Sequence, residues 1–243
     1  MKLRRCVMAC VSALGLHLGP PALAQKEQVP LVRLEDLEID PSRLDGFESA
    51  AREQAVVTIR KERGVLALHA AAEKDNPARV RIFGVYTDEN AYRAHLQTPH
   101  FQGFRSDTDK MVLDRAMYDA VPIVLGAKPR LPAKALVRVA ELEIDPAQLE
   151  AYKAAVTEEI ETSIRIETGV LAIYSVALKE NPTQLRFFEI YADEKAYRQH
   201  LESPHFKKYV DVTRSMITAR RLFEMKPLSL SAKPREAGST RRQ

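Results

Sequence analysis

HLQTPHF at 95–101 returns as HLESPHF at 200–206, and LEIDP at 37–41 returns at 142–146, each pair 105 residues apart. Laid on itself at that offset, the chain matches at 38 of 91 positions between 32–122 and 137–227 without a gap. Both halves must therefore share one fold. A length of 243 residues accommodates two domains of ordinary size. They are expected at 29–124 and 135–230, joined by the connection LGAKPRLPAK (125–134), where proline and glycine interrupt any apolar period. Residues 231–243 read as a polar, disordered tail.

The first 24 residues stand outside the repeat. MKLRR is basic, Cys6 to Leu18 is apolar, and GPPALA ends in an A-x-A pattern. The run is too short to span a bilayer and has the form of a secretory signal cut after Ala24. Cleavage would remove Lys2, Arg4 and Arg5, taking the 37 basic residues to 34 against 33 acidic ones. With no basic stripe left, the charge gives no case for nucleic acid. Both cysteines, Cys6 and Cys10, leave with the signal, which excludes disulfides, thiolate catalysis and cysteine-ligated metals in the mature chain. The expected location is periplasmic or secreted, with no membrane attachment once the signal is gone.

Within each half the pattern is strand, helix, strand, strand, helix, strand. LVRLEDLEI alternates as a strand. Leu44, Phe47, Ala51, Ala55 and Ile59, matched by Leu149, Tyr152, Val156, Ile160 and Ile164, recur at helical spacing. Gly64 and Gly169 are expected to close that helix. VLALHAA and VRIFGVY form a hairpin across KDNP, Asp88 caps a short helix, Thr98-Pro99 starts another, and a last strand is expected near 113–123. This is the ferredoxin-like α+β order. Such a sheet has one face covered by helices and one in need of a partner, which the other repeat can supply within the chain.

The histidines carry the chemical question. His95 and His200 fall near the end of a short helix, where the dipole favours a protonated ring; His100 and His205 fall in the first turn after a proline, where it favours a neutral acceptor. Their alternative reading is as polar anchors at helix ends. Histidines five apart on one continuous helix point about 140° apart, so no two-histidine metal face is expected. There is no HExxH and no acidic loop with ligand spacing, and no GxGxxG or P-loop. Metal and cofactor are both read as none. The halves differ where Glu189 faces Gly84, and His69 faces Tyr174; the last two alternate with leucines and should share the opposite face of their strand. Arg81 and Arg186 sit among apolar strand residues and need either an ion pair or an anionic ligand.

FFEIYADEKAYRQHLESPHF and RIFGVYTDENAYRAHLQTPHF, with the helix endings ETGVLAIY and ERGVLALH, resemble the antibiotic biosynthesis monooxygenase family, which includes quinol monooxygenases. The resemblance covers nearly all of both halves. It implies a dimeric α+β barrel, here built from two ferredoxin-like repeats of one chain, and oxygenation of electron-rich aromatics without flavin or metal. By position Glu189, His200 and His205 match the family motif in the second half. His95 and His100 match it in the first, where Gly84 departs from it. The absence of tryptophan argues against the haem-degrading branch.

The expected protein is thus an exported, cofactor-independent monooxygenase acting on a small aromatic quinol- or phenol-like substrate with dioxygen, monomeric if the repeats pair internally. His205 is expected to accept the proton, helped by His200 and Glu189, with His95, His100, His69, Tyr174, Arg186 and Arg81 expected to bind substrate. The alternative is a non-catalytic barrel that binds a small apolar or aromatic ligand.

Overall fold

The computed structural model describes residues 29–132 and 134–234, and the backbone of 241–242. The signal segment, both cysteines and most of the tail fall outside the described residues. The first repeat runs β1 (Leu31–Ile39), α1 (Leu44–Lys61), β2 (Val65–Glu73), β3 (Arg79–Tyr86), α2 (Glu89–Leu96), α3 (Pro99–Thr108) and β4 (Val112–Ala127). The second runs β5 (Leu136–Ile144), α4 (Leu149–Ile166), β6 (Val170–Leu178), β7 (Gln184–Tyr191), α5 (Glu194–Glu202), α6 (Pro204–Thr213) and β8 (Ile217–Ala232).

The eight strands close a barrel in the order β1-β3-β2-β8-β5-β7-β6-β4, with β4 returning to β1, and all these pairings are antiparallel. Closure depends on the two 16-residue strands. The first part of β4 pairs with β1 of its own repeat, and its last part, from Ala120 to Ala127, pairs with β6 of the other. β8 does the same for β5 and β2. Both register shifts at the crossover fall beside Pro122 and Pro227, which have no N–H to give a ladder. β4 therefore continues to Ala127, with Leu125 buried, where the sequence suggests that the connection has already begun. β8 likewise reaches Ala232, past the expected end of the second half at 230. An apolar strand residue is worth more inside the second repeat's ladder than in a solvated loop.

Alternation divides each strand between two environments. Val32, Leu34, Phe83, Val137, Val139 and Phe188 fill the barrel interior. Leu37 and Ile39 face α1, and Leu142, Ile144 and Phe187 face α4. The helices begin as their sequence dictates: Asp88 and Asp193 accept from the N–H groups of Ala91 and Ala196 at 2.8 Å, and Thr98 and Ser203 cap the helices opened by Pro99 and Pro204.

The glycine expectation is corrected. α1 and α4 end at Lys61 and Ile166 on extended cap residues, Glu62 and Glu167. Gly64 and Gly169 lie beyond them without a left-handed backbone. They are needed for close approach: a Cβ would stand 2.5 Å from Ala91 Cβ in one repeat and 2.4 Å from Ala196 Cβ in the other. Gly169→Ala should thus cost about 1–3 kcal/mol through overpacking. Gly103→Ala, in α3 with nothing within 4 Å of the new methyl, should be neutral or add up to about 1 kcal/mol. Urea midpoints of the two variants should move in opposite directions or the second not at all; equal losses would contradict the packing.

Candidate active site in the second repeat

The two histidines of each repeat lie on two helices that meet at a proline. The turn brings both rings to the carboxylate that ends the long helix. In the first repeat His95 Nδ1 is 2.9 Å and His100 Nε2 2.7 Å from Glu62 Oε1. In the second, His200 Nδ1 is 2.9 Å and His205 Nε2 2.7 Å from Glu167 Oε1. This corrects the expectation that histidines at this spacing diverge, which held only for one unbroken helix. Two imidazoles with a carboxylate have the composition of a transition-metal site, and Glu62 with His95 and His100, or Glu159 with His200 and His205, lie close enough to share an ion. All four of these nitrogens are instead hydrogen bonded to Glu62 or Glu167 at ordinary lengths.

Glu167 fixes the chemistry of His200. Burial pushes its carboxyl up, but the hydrogen bonds from His200 and His205 outweigh this and hold it below the usual glutamate range. An ionised carboxylate only accepts, so Nδ1 of His200 carries the proton and donates. Nε2 is left as a lone pair, 3.8 Å from Glu159 Oε1. The ring is 2% exposed, packed on Phe206 and Tyr191. Desolvation lowers its pKa despite Glu167, so burial overrides the dipole argument for a protonated His200. The same geometry displaces His205 from its expected part: its Nε2 donates to Glu167, and the residue does not line the cavity described next.

That cavity has a volume of about 610 Å³ and lies between the outer face of the sheet and α4–α6; every residue lining it belongs to the second repeat. Three of its polar groups are Glu159, Glu189 and Tyr209, which face Gln54, Gly84 and Phe104 in the first repeat. Burial pushes Glu159 up to about 8, against the hydrogen bond from Ser163 Oγ at 2.6 Å and with the help of Glu189's charge. Burial pushes Glu189 up to about 7, against the Tyr191 hydroxyl donating at 2.9 Å and the charge of Arg138. Tyr209 shares a 2.6 Å hydroxyl contact with Tyr152, where the first repeat has the phenyl pair Phe47–Phe104. At Gly84 a Cβ would stand 2.9 Å from the Tyr86 ring; that ring occupies what Glu189 claims in the other repeat.

The other expected ligand residues lie elsewhere. His69 and Tyr174 are in the barrel interior, His69 stacked against Tyr174 and Phe188 with no exposure, its pKa brought down to about 3 by burial. Their strand parity was legible, but it turns them away from the cavity. Arg81 pairs with Asp36, Glu73 and Glu141, and Arg186 with Glu141, which answers the open choice with ion pairs. His95 and His100 form the matching triad of the first repeat. The sequence reading missed Glu62, Glu167, Glu159 and Tyr209, although comparing the repeats position by position singles out the last two.

The fold and this site define a dimeric α+β barrel whose two ferredoxin-like repeats are supplied by one chain. The model of the family described as antibiotic biosynthesis monooxygenase matches residues 30–107 and again 135–212, and the chain belongs to that family. Two solved structures, each described as a "putative monooxygenase", share the whole fold. That from Lactobacillus acidophilus NCFM is 23% identical with a TM-score of 0.81, covering 85% of this chain and 97% of its own. That from Fusobacterium nucleatum is 20% identical with a TM-score of 0.82, covering 90% and 100%. An anthrone oxidase-like protein shares the fold at 8% identity and a TM-score of 0.56, covering 85% and 94%. No curated protein matches the chain.

The buried carboxyls give a pH signature. A carboxyl whose folded pKa is raised binds its proton more tightly when folded, so its stabilising effect is full below the unfolded value and is lost as pH rises through the folded one. Wild-type stability should therefore fall between about pH 5 and 8 from Glu159 and Glu189. Glu159→Gln, the residue that the first repeat carries, should flatten that slope and raise stability at pH 8. Urea midpoints across this range read it directly; an unchanged slope would mean that Glu159 is not held in its protonated form.

Proposed function

We propose that the second repeat holds the active site of a cofactor-independent monooxygenase that oxidises a small aromatic quinol- or phenol-like substrate with dioxygen. One observation carries the reading: the acid–base groups Glu159, Glu189 and Tyr209 line the cavity of one repeat and are replaced by Gln54, Gly84 and Phe104 in the other. Family membership and the aromatic lining support it.

His200 Nε2 takes the proton of the substrate hydroxyl, with Glu167 holding the tautomer and stabilising the imidazolium that results. The phenolate passes an electron to dioxygen, and superoxide combines with the ring radical at carbon. The resulting peroxide loses water to give the quinone. One oxygen atom stays on carbon, and the other leaves as water with the hydrogens lost from carbon and hydroxyl. Glu159 and Glu189, both tending to protonation near neutral pH, are placed to donate to the oxygen that gains charge. At the inner end of the cavity the buried rings of Tyr191 and His200 limit the access of water to the intermediate.

The test is dioxygen uptake by residues 25–243, stripped with chelator and given a reduced naphthoquinol, against the enzyme-free rate. Saturable uptake with an oxygenated product is expected. His200→Gln should lower the rate by about 100-fold or more, whereas His205→Ala should cost markedly less. Uptake no faster than autoxidation, with saturable binding, would make this a ligand-binding barrel. We also propose export with cleavage after Ala24, for which the N-terminal sequence of the periplasmic or secreted protein should begin at Gln25; a chain retaining Met1 would overturn it.

A further inference from the structure

One arginine of the second repeat lacks the partner that its counterpart has. In the first repeat Arg115 on β4 donates through Nη1 to Glu35 Oε2 on β1 at 2.7 Å, with both side chains 20% exposed. The matching positions 105 residues on are Arg220 on β8 and Ala140 on β5. Arg220 lies opposite Leu142, and Ala140 opposite Leu222, in the β5–β8 ladder. The two are thus diagonal neighbours on the face that meets the helices. Ala140 offers no carboxylate, and among the described residues Arg220 has no acidic group within salt-bridge distance.

Both Ala140 and Arg220 line the cavity, and Arg220 is exposed. Replacing glutamate by alanine therefore does two things in one place. It empties space beside the sheet, and it leaves a guanidinium with its fork of N–H donors free at the solvent side of that space. The cavity's other guanidinium, Arg214, is held by Asp211 at 3.0 Å. The carboxyls in the interior, Glu159, 5% exposed, and Glu189, partly buried, are both pushed toward their neutral forms by burial, so they do not set up a strong field against an anion.

We propose that the cavity takes an aromatic acid, with its hydroxylated ring end at His200, Glu159 and Glu189 and its carboxylate on Arg220 at the mouth. This rests on the cavity being the substrate site and adds the class of substrate. A planar carboxylate matches the guanidinium fork through two parallel hydrogen bonds, and a ligand held at both ends enters in one orientation. That orientation brings the hydroxyl, rather than the acid, to the lone pair of His200.

The test is anaerobic calorimetry with 6-hydroxy-2-naphthoate and 2-naphthol, which differ only in the carboxylate. The naphthoate should bind roughly tenfold tighter, and the preference should shrink as salt is raised. Arg220→Gln should abolish the preference and leave 2-naphthol binding unchanged. Ala140→Glu, which restores the first repeat's ion pair, should also abolish it while weakening both ligands by filling the cavity. Equal affinity of the wild type for both compounds, or a preference that survives Arg220→Gln, would overturn the assignment and leave the cavity reading standing. No binding of either compound would overturn both.

Discussion

The long strands β4 and β8 are what the rest of the structure depends on. A four-stranded ferredoxin-like sheet has two open edges and one uncovered apolar face, and both are costly in water. Each 16-residue strand begins in its own repeat and ends in the other, so every edge of the barrel is paired and the two uncovered faces seal against one another. His69, Tyr174 and Phe188 are buried in that seal. The helices are then left free on the outside, and the space between them and the sheet is the place where a cavity can open without exposing the barrel's core.

Covalent linkage of the repeats frees each site from the other. In a barrel made of two identical chains, a substitution appears in both sites at once. In this chain the shared framework is kept on both sides: Glu62 with His95 and His100, and Glu167 with His200 and His205, at nearly identical distances. The acid–base groups are not. Glu159, Glu189, Tyr152 and Tyr209 bring titratable groups to one side, while Gln54, Gly84, Phe47 and Phe104 leave the other neutral. Buried carboxyls are unfavourable for folding above their unfolded pKa, and confining them to the second repeat spares the first that cost.

Much of this was legible in the chain. The 105-residue offset fixed the two-domain organisation, and the helical and strand periods fixed the order of elements. Caps at Asp88, Thr98, Asp193 and Ser203 were readable because a cap is a local interaction between a side chain and a backbone two or three residues away. The roles of the histidines were not readable. Their helix-end positions suggested that His200 would be protonated and that His205 would be the base. What surrounds each ring, burial for His200 and the contact of His205 Nε2 with Glu167, was set by packing between distant segments.

The sequence alone therefore determined the fold, through repetition and periodicity, and the inventory of candidate groups, since an internal duplication shows which side chains differ between otherwise equivalent positions. Only the tertiary structure decided which of those groups meet. Glu167 reaches His200 and His205 across 33 and 38 residues, and Arg115 finds Glu35 across 80. His69 and Tyr174, which a strand's parity could assign to a face, needed barrel closure to show that the face is the sealed interior. Parity and spacing act along one segment. Contact, burial and the pKa values that follow from them depend on segments that the chain brings together only when it folds.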